Sequence, residues 1–251
     1  MTNLPLPEIP GGWHERQVDV GACSFTLTLP VSPDAFLDDA AVLEANRTSD
    51  HMPYWSLLWP ASFLMACLIP KVTEEQPVGS SRALEIGAGI GLVGIAALAA
   101  GLDVTFSDYD ETAVRLAQHN AAQNGFVGQP AVLFDWRKFD EAKLEPFPLI
   151  LGCDVVYEQP NHPLVLNVLE RLLEPGGTGW LGDPGRGSLR EFVFLAEERG
   201  FQVAMFDEDG VEISCELDRQ RSTSLRDLRF VVNEFRLLRL RRSSMCVKTS
   251  G

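Results

Sequence analysis

The feature that most constrains this chain is a glycine-rich turn between two apolar runs, ALEIGAGIGLVG at residues 83–94. Glycine lacks a Cβ, so its backbone can approach another backbone or a ligand closely. The run before the glycines predicts a strand, and the run that follows, GLVGIAALAA, predicts a helix. Open α/β sheets bind ligands where a strand ends in this way. The turn therefore predicts both a fold class and a ligand site, with tight packing as the alternative explanation for the glycines.

Strand and helix patterns alternate from about residue 82 onwards. Seven runs predict strands: RALEI, VTFSD, AVLFDW, PLILGCDVVY, TGWLGD, FQVAMF and the final LRFVVNEFRLLRL. Most of these strands are separated by helical patterns such as ETAVRLAQHNAAQN and HPLVLNVLERLL. Such alternation requires crossover connections and a mainly parallel sheet covered on both faces. The prediction is an α/β, doubly wound, mainly parallel seven-stranded sheet.

The expected organisation is an N-terminal extension over residues 1–80, a main domain over 81–242 and a tail over 243–251. The extension is expected to contain two short strands near QVDVGACSFTLTLP and a helix over YWSLLWPASFLMACLIP. In that helix Trp55 and Trp59 would share one face, because they are four residues apart. The basic run RLLRLRRSS at 236–244 is expected to be a solvated strand edge and tail.

Composition excludes several classes of function. The 251 residues carry a net charge of −14, which opposes binding to nucleic acid phosphates and suits a lysine-rich protein partner instead. No apolar stretch reaches the roughly 18 to 20 residues that a membrane span needs, and no secretory leader is evident. The five cysteines form no CxxC pair, and the four histidines show no metal-ligand spacing. We therefore expect a cytoplasmic monomer with reduced thiols, no metal, and no nucleic acid or membrane partner.

Two kinds of ligand fit the glycine turn. Gly89, Gly91 and Gly94 match the G-x-G-x-x-G pattern of dinucleotide sites, and an acidic residue follows about 20 positions later. Glu85, however, stands two residues before Gly87, and a carboxylate there would repel a pyrophosphate but suit a ligand's ammonium group. The pattern favours a nucleoside with a cationic group over a dinucleotide, and an NAD-dependent oxidoreductase remains the weaker alternative.

Polar residues at the ends of the following strands complete this predicted site. Asp108 ends the second strand, where a carboxylate can accept two ribose hydroxyls; capping the next helix is the alternative, for which Asp110 is better placed. Asp135 and Trp136 end the third strand and suit a purine, by hydrogen bonding and by ring stacking, although a buried Trp is often plain core. The fourth strand ends in Cys153 and Asp154.

These residues resemble the seven-strand, S-adenosylmethionine-dependent methyltransferases, and within them the family-16 lysine methyltransferase group. The resemblance rests on LEIGAGIGLVGIAA, YWSLLWPAS, FDW and LGCDVVYE, the last of which contains that group's D-x-x-Y signature. GWLGDPGR at 179–186 is further similar to the branch that methylates the electron-transfer flavoprotein beta subunit. Residues 1–50 and 207–228 match no signature, and we expect substrate choice to lie there.

The resemblance implies a Rossmann-like methyltransferase fold and a role for each motif residue. The cofactor-binding residues that it implies are Trp59, Glu85, Gly87, Gly89, Gly91, Asp108 and Trp136, and the strand-end pattern adds Asp135 and Cys153 to the candidates. Asp154 and Tyr157 would border the methyl-transfer site, where Asp154 can orient or receive the acceptor's proton and Tyr157 can hydrogen-bond its nitrogen. The alternatives are a carboxylate that caps a turn and a half-buried aromatic side chain.

The expected function is N-methylation of lysine side chains in a protein substrate with S-adenosylmethionine as cofactor. Two alternatives stay open: a small-molecule N-methyltransferase acting on nicotinamide-like amines, and a catalytically silent, cofactor-binding interaction module.

Overall fold

The computed structural model describes residues 5–38, 42–44, 52–75, 81–141, 143–213 and 234–242. The strands in these ranges are β1 Trp13–Val20, β2 Cys23–Pro30, β3 Arg82–Ile86, β4 Asp103–Asp108, β5 Ala131–Leu133, β6 Phe147–Cys153, β7 Leu173–Asp183, β8 Phe201–Phe206, β9 Glu212–Ile213 and β10 Arg236–Arg242. The α-helices are α1 Pro60–Cys67, α2 Ile69–Glu74, α3 Leu92–Ala99, α4 Glu111–Gln123, α5 His162–Leu172 and α6 Leu189–Glu198.

The central sheet has the order β5-β4-β3-β6-β7-β10-β8-β9. The five strands from β5 to β7 are parallel, and β10 is antiparallel to both of its neighbours. The predicted α/β class and mainly parallel sheet are confirmed. The described sheet has eight strands where seven were expected, because the two-residue β9 pairs with the outer edge of β8.

Helices cover both faces of this sheet because its strands are apolar on both sides. In β3, Ala83 belongs to the core beneath α1 to α4, whereas Leu84 and Ile86 belong to the core beneath α5 and α6. Successive side chains of a strand point to opposite faces, so one short apolar run supplies two cores. The carboxyl ends of β3, β4 and β6 consequently meet at one edge of the sheet, where the predicted site residues lie.

The first two strands form an antiparallel hairpin that packs against α4. Two asparagines on α4 bond the β2 backbone as a neighbouring strand would. Asn120 accepts from Thr28 N at 2.8 Å and donates to Thr28 O at 3.2 Å, and Asn124 does the same for Thr26 at 2.9 and 2.8 Å. The hairpin is therefore attached to α4 and its C-terminal cap through side-chain amides.

The predicted helix over residues 54–70 was wrong at its beginning. Tyr54–Ser56 forms a single 3-10 turn, and Trp59 is extended, with φ −68° and ψ 137°. Helix α1 begins only at Pro60, whose fixed φ suits the first helical position. Trp55 and Trp59 therefore do not share a helical face.

The prediction of a solvated strand edge at residues 236–244 was also wrong for its first part. Strand β10 is inserted between β7 and β8, and Leu237, Leu238 and Leu240 are fully buried. The guanidinium of Arg239 lies 5.3 Å from the centre of the Phe206 ring and pairs with Glu75. Its aliphatic carbons therefore pack against the protein while its charge lies near the surface.

Several expectations fall outside the described residues. The tail at 243–251 and residues 214–228 lie there, as do parts of the segment 1–50. Within the described ranges, no helix combines the length and apolarity needed to cross a membrane.

Candidate active site

All eleven predicted site residues line one cavity of about 440 Å³ at the carboxyl edge of the sheet. They are Trp59, Glu85, Gly87, Gly89, Gly91, Asp108, Asp135, Trp136, Cys153, Asp154 and Tyr157. A volume of this order is typical of sites for small molecules and cofactors. The structure thus brings the predicted residues together. Lining the same cavity does not by itself assign a role to any of them.

Glu85 holds the glycine loop to the helix that follows it. Its Oε2 accepts a hydrogen bond of 3.1 Å from Gly94 N, in the first turn of α3. Burial raises the pKa of Glu85 to about 8, although the bond from Gly94 lowers it, and the nearby charge of Asp108 adds to the rise. Glu85 is 3% exposed and lines the cavity. A cation bound in the cavity would favour the ionised form of its carboxyl group.

Asp108, the last residue of β4, accepts a hydrogen bond from the same loop. Its Oδ2 accepts from Gly89 N and its Oδ1 from Asp110 N, both at 3.0 Å. Burial raises the pKa of Asp108 to about 6, although these two hydrogen bonds lower it. The cap of α4 is Asp110, which accepts from Thr112 N at 2.7 Å, so helix capping does not explain Asp108.

Gly94 and Gly89 are in different surroundings, so the need for glycine has a different structural reason at each position. A Cβ on Gly94 would lie 2.3 Å from Glu85 Oε2 and 2.4 Å from the Phe106 ring, so this glycine is required by packing. A Cβ on Gly89, which lines the cavity, would come no closer than 3.6 Å to any of the described atoms, an ordinary contact with Trp55. Gly89 has φ +52°, a conformation that glycine adopts without strain. Packing alone therefore does not require a glycine at position 89, whereas its positive φ favours one.

Asp135 and Trp136 lie beyond the third strand, since β5 ends already at Leu133. Asp135 Oδ1 accepts from Arg137 N at 3.0 Å and from Arg137 Nε at 2.7 Å. Burial raises the pKa of Asp135, but these bonds and the charge of Arg137 outweigh it, so the net pKa lies below the usual value. The half-buried Trp136 ring lies beside Gly87, 3.6 Å from the position of a Cβ there.

Trp59 reaches the cavity from the N-cap of α1. Its indole Nε1 donates a hydrogen bond of 2.9 Å to Tyr54 O, which fixes the ring against the preceding 3-10 turn. Neighbouring Trp55 is 7% exposed and packs against Phe36 at 5.3 Å and against Trp13 at 6.3 Å.

Asp154 and Tyr157 follow the end of β6 and line the same cavity. Asp154 has φ +60°, and it is the one non-glycine residue with positive φ among those described. Its carboxylate pairs with Arg186, which sequence reasoning did not assign. The Tyr157 ring meets Tyr54 edge to face at 5.5 Å, and the Arg186 Cζ lies 6.0 Å from its centre.

Cys153 is the last residue of β6 and lines the cavity next to Asp154. Burial raises the pKa of its thiol well above the usual value, and the neighbouring carboxylates Asp154, Glu85 and Asp183 raise it further. The side chain is therefore a neutral thiol and supplies shape and polarity rather than a nucleophile. In the described ranges, no group of three or more His, Cys, Asp or Glu side chains is arranged to hold a metal ion.

Sequence reasoning missed Tyr54, which lines the cavity, and the pair Asp183 and Arg186, which lies behind Asp154. Asp183 is fully buried at the end of β7, and Arg186 follows three residues later. A signal was present, because β7 also ends at the carboxyl edge of the sheet, where side chains of parallel strands converge. Asp183 and Arg186 both lie in GWLGDPGR, a stretch whose family resemblance does not by itself indicate their contact with Asp154.

Comparison with known proteins places this architecture in a family. The model of the lysine methyltransferase family matches residues 45–181. EEF1A lysine methyltransferase 3 of Mus musculus is 33% identical over 134 residues, 51% of this chain and 57% of that protein. Histone-arginine methyltransferase METTL23 of Xenopus laevis is 30% identical over 125 residues, 48% of this chain and 53% of that protein. The matches thus span little more than half the length of these relatives.

A solved structure agrees on the fold. The ribosomal protein L11 methylase from Lactobacillus delbrueckii subsp. bulgaricus superimposes with a TM-score of 0.53 at 18% identity, covering 73% of this chain and 78% of that one.

Proposed function

The chain belongs to the lysine methyltransferase family, and from this premise we propose that it is an S-adenosylmethionine-dependent N-methyltransferase acting on lysine side chains of a protein substrate. The observation that carries the proposal is the single cavity, which contains the glycine loop with its two buried carboxylates and also Asp154 and Tyr157. A donor and an acceptor can therefore meet inside one cavity, where orientation supplies much of the rate enhancement.

The residues at the loop end suit S-adenosylmethionine. That cofactor supplies a methyl group on a positively charged sulfur and carries an ammonium group, a ribose and an adenine. In this proposal Glu85 faces the ammonium, Asp108 accepts from the ribose hydroxyls, and Trp136 lies against the adenine. Glu85, when ionised, would repel the pyrophosphate of NAD, which is why we disfavour an oxidoreductase, whereas Asp108 would suit the ribose of either cofactor.

The residues at the other end suit a cationic amine. A lysine side chain arrives largely as ammonium and must lose a proton before its nitrogen can accept a methyl group. The Asp154 carboxylate attracts and orients the ammonium, and the Tyr54 and Tyr157 rings line the approach to it. Loss of the proton to Asp154 or to solvent leaves the nitrogen lone pair aimed at the methyl carbon.

Lysine is proposed as the acceptor on three grounds. The family description names lysine, the carboxylate at the acceptor end suits a cation, and a net charge of −14 attracts a lysine-rich protein. Relatives of similar identity carry names that specify lysine in one case and arginine in the other. The residue type must therefore be measured on this chain, and the electron-transfer flavoprotein branch remains a prediction from GWLGDPGR.

We also propose a cytoplasmic monomer that binds neither nucleic acid nor membranes. Cys23, Cys67 and Cys153 are free thiols, as proteins of a reducing compartment have. The acidic surface opposes nucleic acid binding.

Two measurements test the proposal. Calorimetric titration should show binding of S-adenosylmethionine and none of NAD; binding of NAD alone would overturn the cofactor assignment. Methyl-tritiated cofactor is then incubated with the purified protein and a cell lysate, separated into protein and small-molecule fractions. Label in the protein fraction is expected. Label only in small molecules would favour the nicotinamide-like acceptor, and cofactor binding with no label anywhere would favour the silent interaction module.

A further inference from the structure

Arg186 lies between two carboxylates, that of Asp154, which lines the cavity, and that of Asp183 at the end of β7. Its Nη1 pairs with Asp154 Oδ1 and lies 3.5 Å from Asp183 Oδ2. The side chain of Asp183 is fully buried and that of Asp154 is 9% exposed. Two carboxylates this close repel each other in a poorly solvated site unless a cation lies between them.

The turn that carries Arg186 is fixed on two sides. Asp183 Oδ1 accepts from Gly185 N and Arg186 N, both at 2.8 Å. Gly185 has φ +78°, and a Cβ there would lie 2.0 Å from Glu234 O, so only glycine fits beneath the chain that enters β10. The guanidinium therefore projects from a turn with little freedom to move.

Asp154 is fixed from its backbone as well as from its side chain. Its N–H donates to Gly182 O at 2.8 Å, and its φ of +60° is an uncommon conformation for a residue with a Cβ. Such backbone outliers concentrate at sites where a side chain must be aimed in one direction. Here the outlier aims a carboxylate into the cavity, and Arg186 holds one of its two oxygens.

We propose that Arg186 is a positioning residue that holds the Asp154 carboxylate in place by its Oδ1 and leaves Oδ2 to the acceptor's ammonium. This inference rests on the proposed function, because it gives Asp154 its orientation for methyl transfer. Arg186 also lies 6.0 Å from the Tyr157 ring centre, so one guanidinium orders both residues of the D-x-x-Y signature. Arg186 itself need not touch the acceptor.

The test is a double-mutant cycle between the two partners. Arg186→Gln, Asp154→Asn and the double variant are assayed for methyl transfer to the lysate protein fraction, with calorimetric cofactor binding on each. Arg186→Gln should lower turnover by about thirtyfold or more, since loss of a partner of a buried charge is costly. Cofactor affinity should stay within about threefold. In the Asp154→Asn background the same change should cost at most about threefold, because the carboxylate to be held is absent.

Two further variants separate positioning from general stability. Arg186→Lys keeps the charge and should recover part of the lost turnover, but not all, because lysine lacks the planar donor set of arginine. Arg199→Gln is the matched control, since Arg199 bonds Asn167 and Glu170 on a partly exposed surface and should leave turnover unchanged.

Three results would overturn the inference. They are a normal rate for Arg186→Gln, an equal loss in both backgrounds, and a parallel loss of cofactor binding. Each of these results requires that the wild-type protein transfers methyl groups. If the wild-type protein does not, the proposed function itself is wrong, so failure of the proposed function is distinguished from failure of the inference about Arg186.

Discussion

At the scale of single residues, the two buried carboxyls under the glycine loop dominate the chemistry. Glu85 and Asp108 have pKa values raised to about 8 and about 6, in both cases chiefly by burial. A group whose pKa is raised on folding binds its proton more tightly in the native state than in the unfolded chain. Both stability and ligand binding must therefore depend on pH.

The first prediction concerns the stability of the protein without ligand. For Glu85 the stabilising proton is fully present below about pH 4.5, the unfolded value, and is lost as the pH rises through about 8. The free energy of unfolding should therefore fall between pH 5.5 and 8.5, and less so in Glu85→Gln, which has no proton to lose. Urea denaturation at both pH values measures this. Equal falls in the two proteins would contradict the assignment of the raised pKa to Glu85.

The second prediction concerns cofactor affinity. If Glu85 faces the ammonium group, binding requires its ionised form, which each pH unit below about 8 makes up to tenfold scarcer. S-adenosylmethionine should therefore bind about twentyfold more tightly at pH 7.5 than at pH 6.0, a range in which its own ammonium group keeps most of its proton. Calorimetry on Glu85→Gln is the control and should show weak, nearly pH-independent binding. A wild-type affinity that does not change with pH would remove Glu85 from contact with the cation.

At the scale of elements, the glycine loop combines a ligand surface with a packing contact, and two substitutions separate them. Gly89→Ala adds a Cβ at the cavity lining in ordinary contact with Trp55, at a cost of roughly 1 to 2 kcal/mol for the positive φ. Gly94→Ala forces Glu85 and Phe106 apart. We expect Gly89→Ala to melt within a few degrees of wild type but to bind cofactor at least about tenfold more weakly.

Gly94→Ala should instead melt substantially lower, because its Cβ would lie 2.3 Å from Glu85 Oε2 and 2.4 Å from the Phe106 ring, an overlap whose cost lies at or above the roughly 3 kcal/mol upper end of typical core overpacking. Thermal melts and calorimetry on both variants give the comparison. If Gly89→Ala were as destabilised as Gly94→Ala, or bound cofactor normally, the loop at Gly89 would serve packing and not the ligand.

The hairpin offers a second test at this scale. Asn120 is fully buried and bonds Thr28 on β2, and it also donates to Ile90 O at 3.0 Å within the glycine loop. Asn124 bonds Thr26 and the α4 backbone. Asn120→Ala should lower both the melting temperature and the cofactor affinity, because a carbonyl of the loop loses its partner.

Asn124→Ala is the matched control, and it should lower the melting temperature while leaving affinity within about twofold. Thermal melts and calorimetric titration again supply both values. Equal effects of the two variants on cofactor affinity would show that the hairpin does not support the loop through Asn120.

At the scale of the whole molecule, the sequence predicts what depends on local pattern and fails where distant strands must be ordered. Glycines after an apolar run and acidic residues at strand ends predicted the cavity, because parallel strands bring those ends to one edge. The position of β10 between β7 and β8 depends on pairings between distant parts of the chain, so its Leu–Arg alternation was taken for a solvated edge.

The same limit explains the missed residues of the site. Arg186 meets Asp154 across 32 positions of sequence, and no local periodicity marks that pair. The extended conformation of Trp59 likewise follows from its place before Pro60 and from its bond to Tyr54 O, which an apolar run alone does not indicate.

The central claim is that this chain transfers methyl groups to lysine in proteins, and its most direct measurement is the identity of the labelled amino acid. Lysate protein labelled by the purified enzyme and methyl-tritiated S-adenosylmethionine is hydrolysed to amino acids and separated by chromatography. The account predicts label in methylated lysine, present with the wild-type protein and reduced about a hundredfold with Asp154→Asn. Label in methylarginine or methylhistidine, or equal labelling by the two proteins, would contradict it.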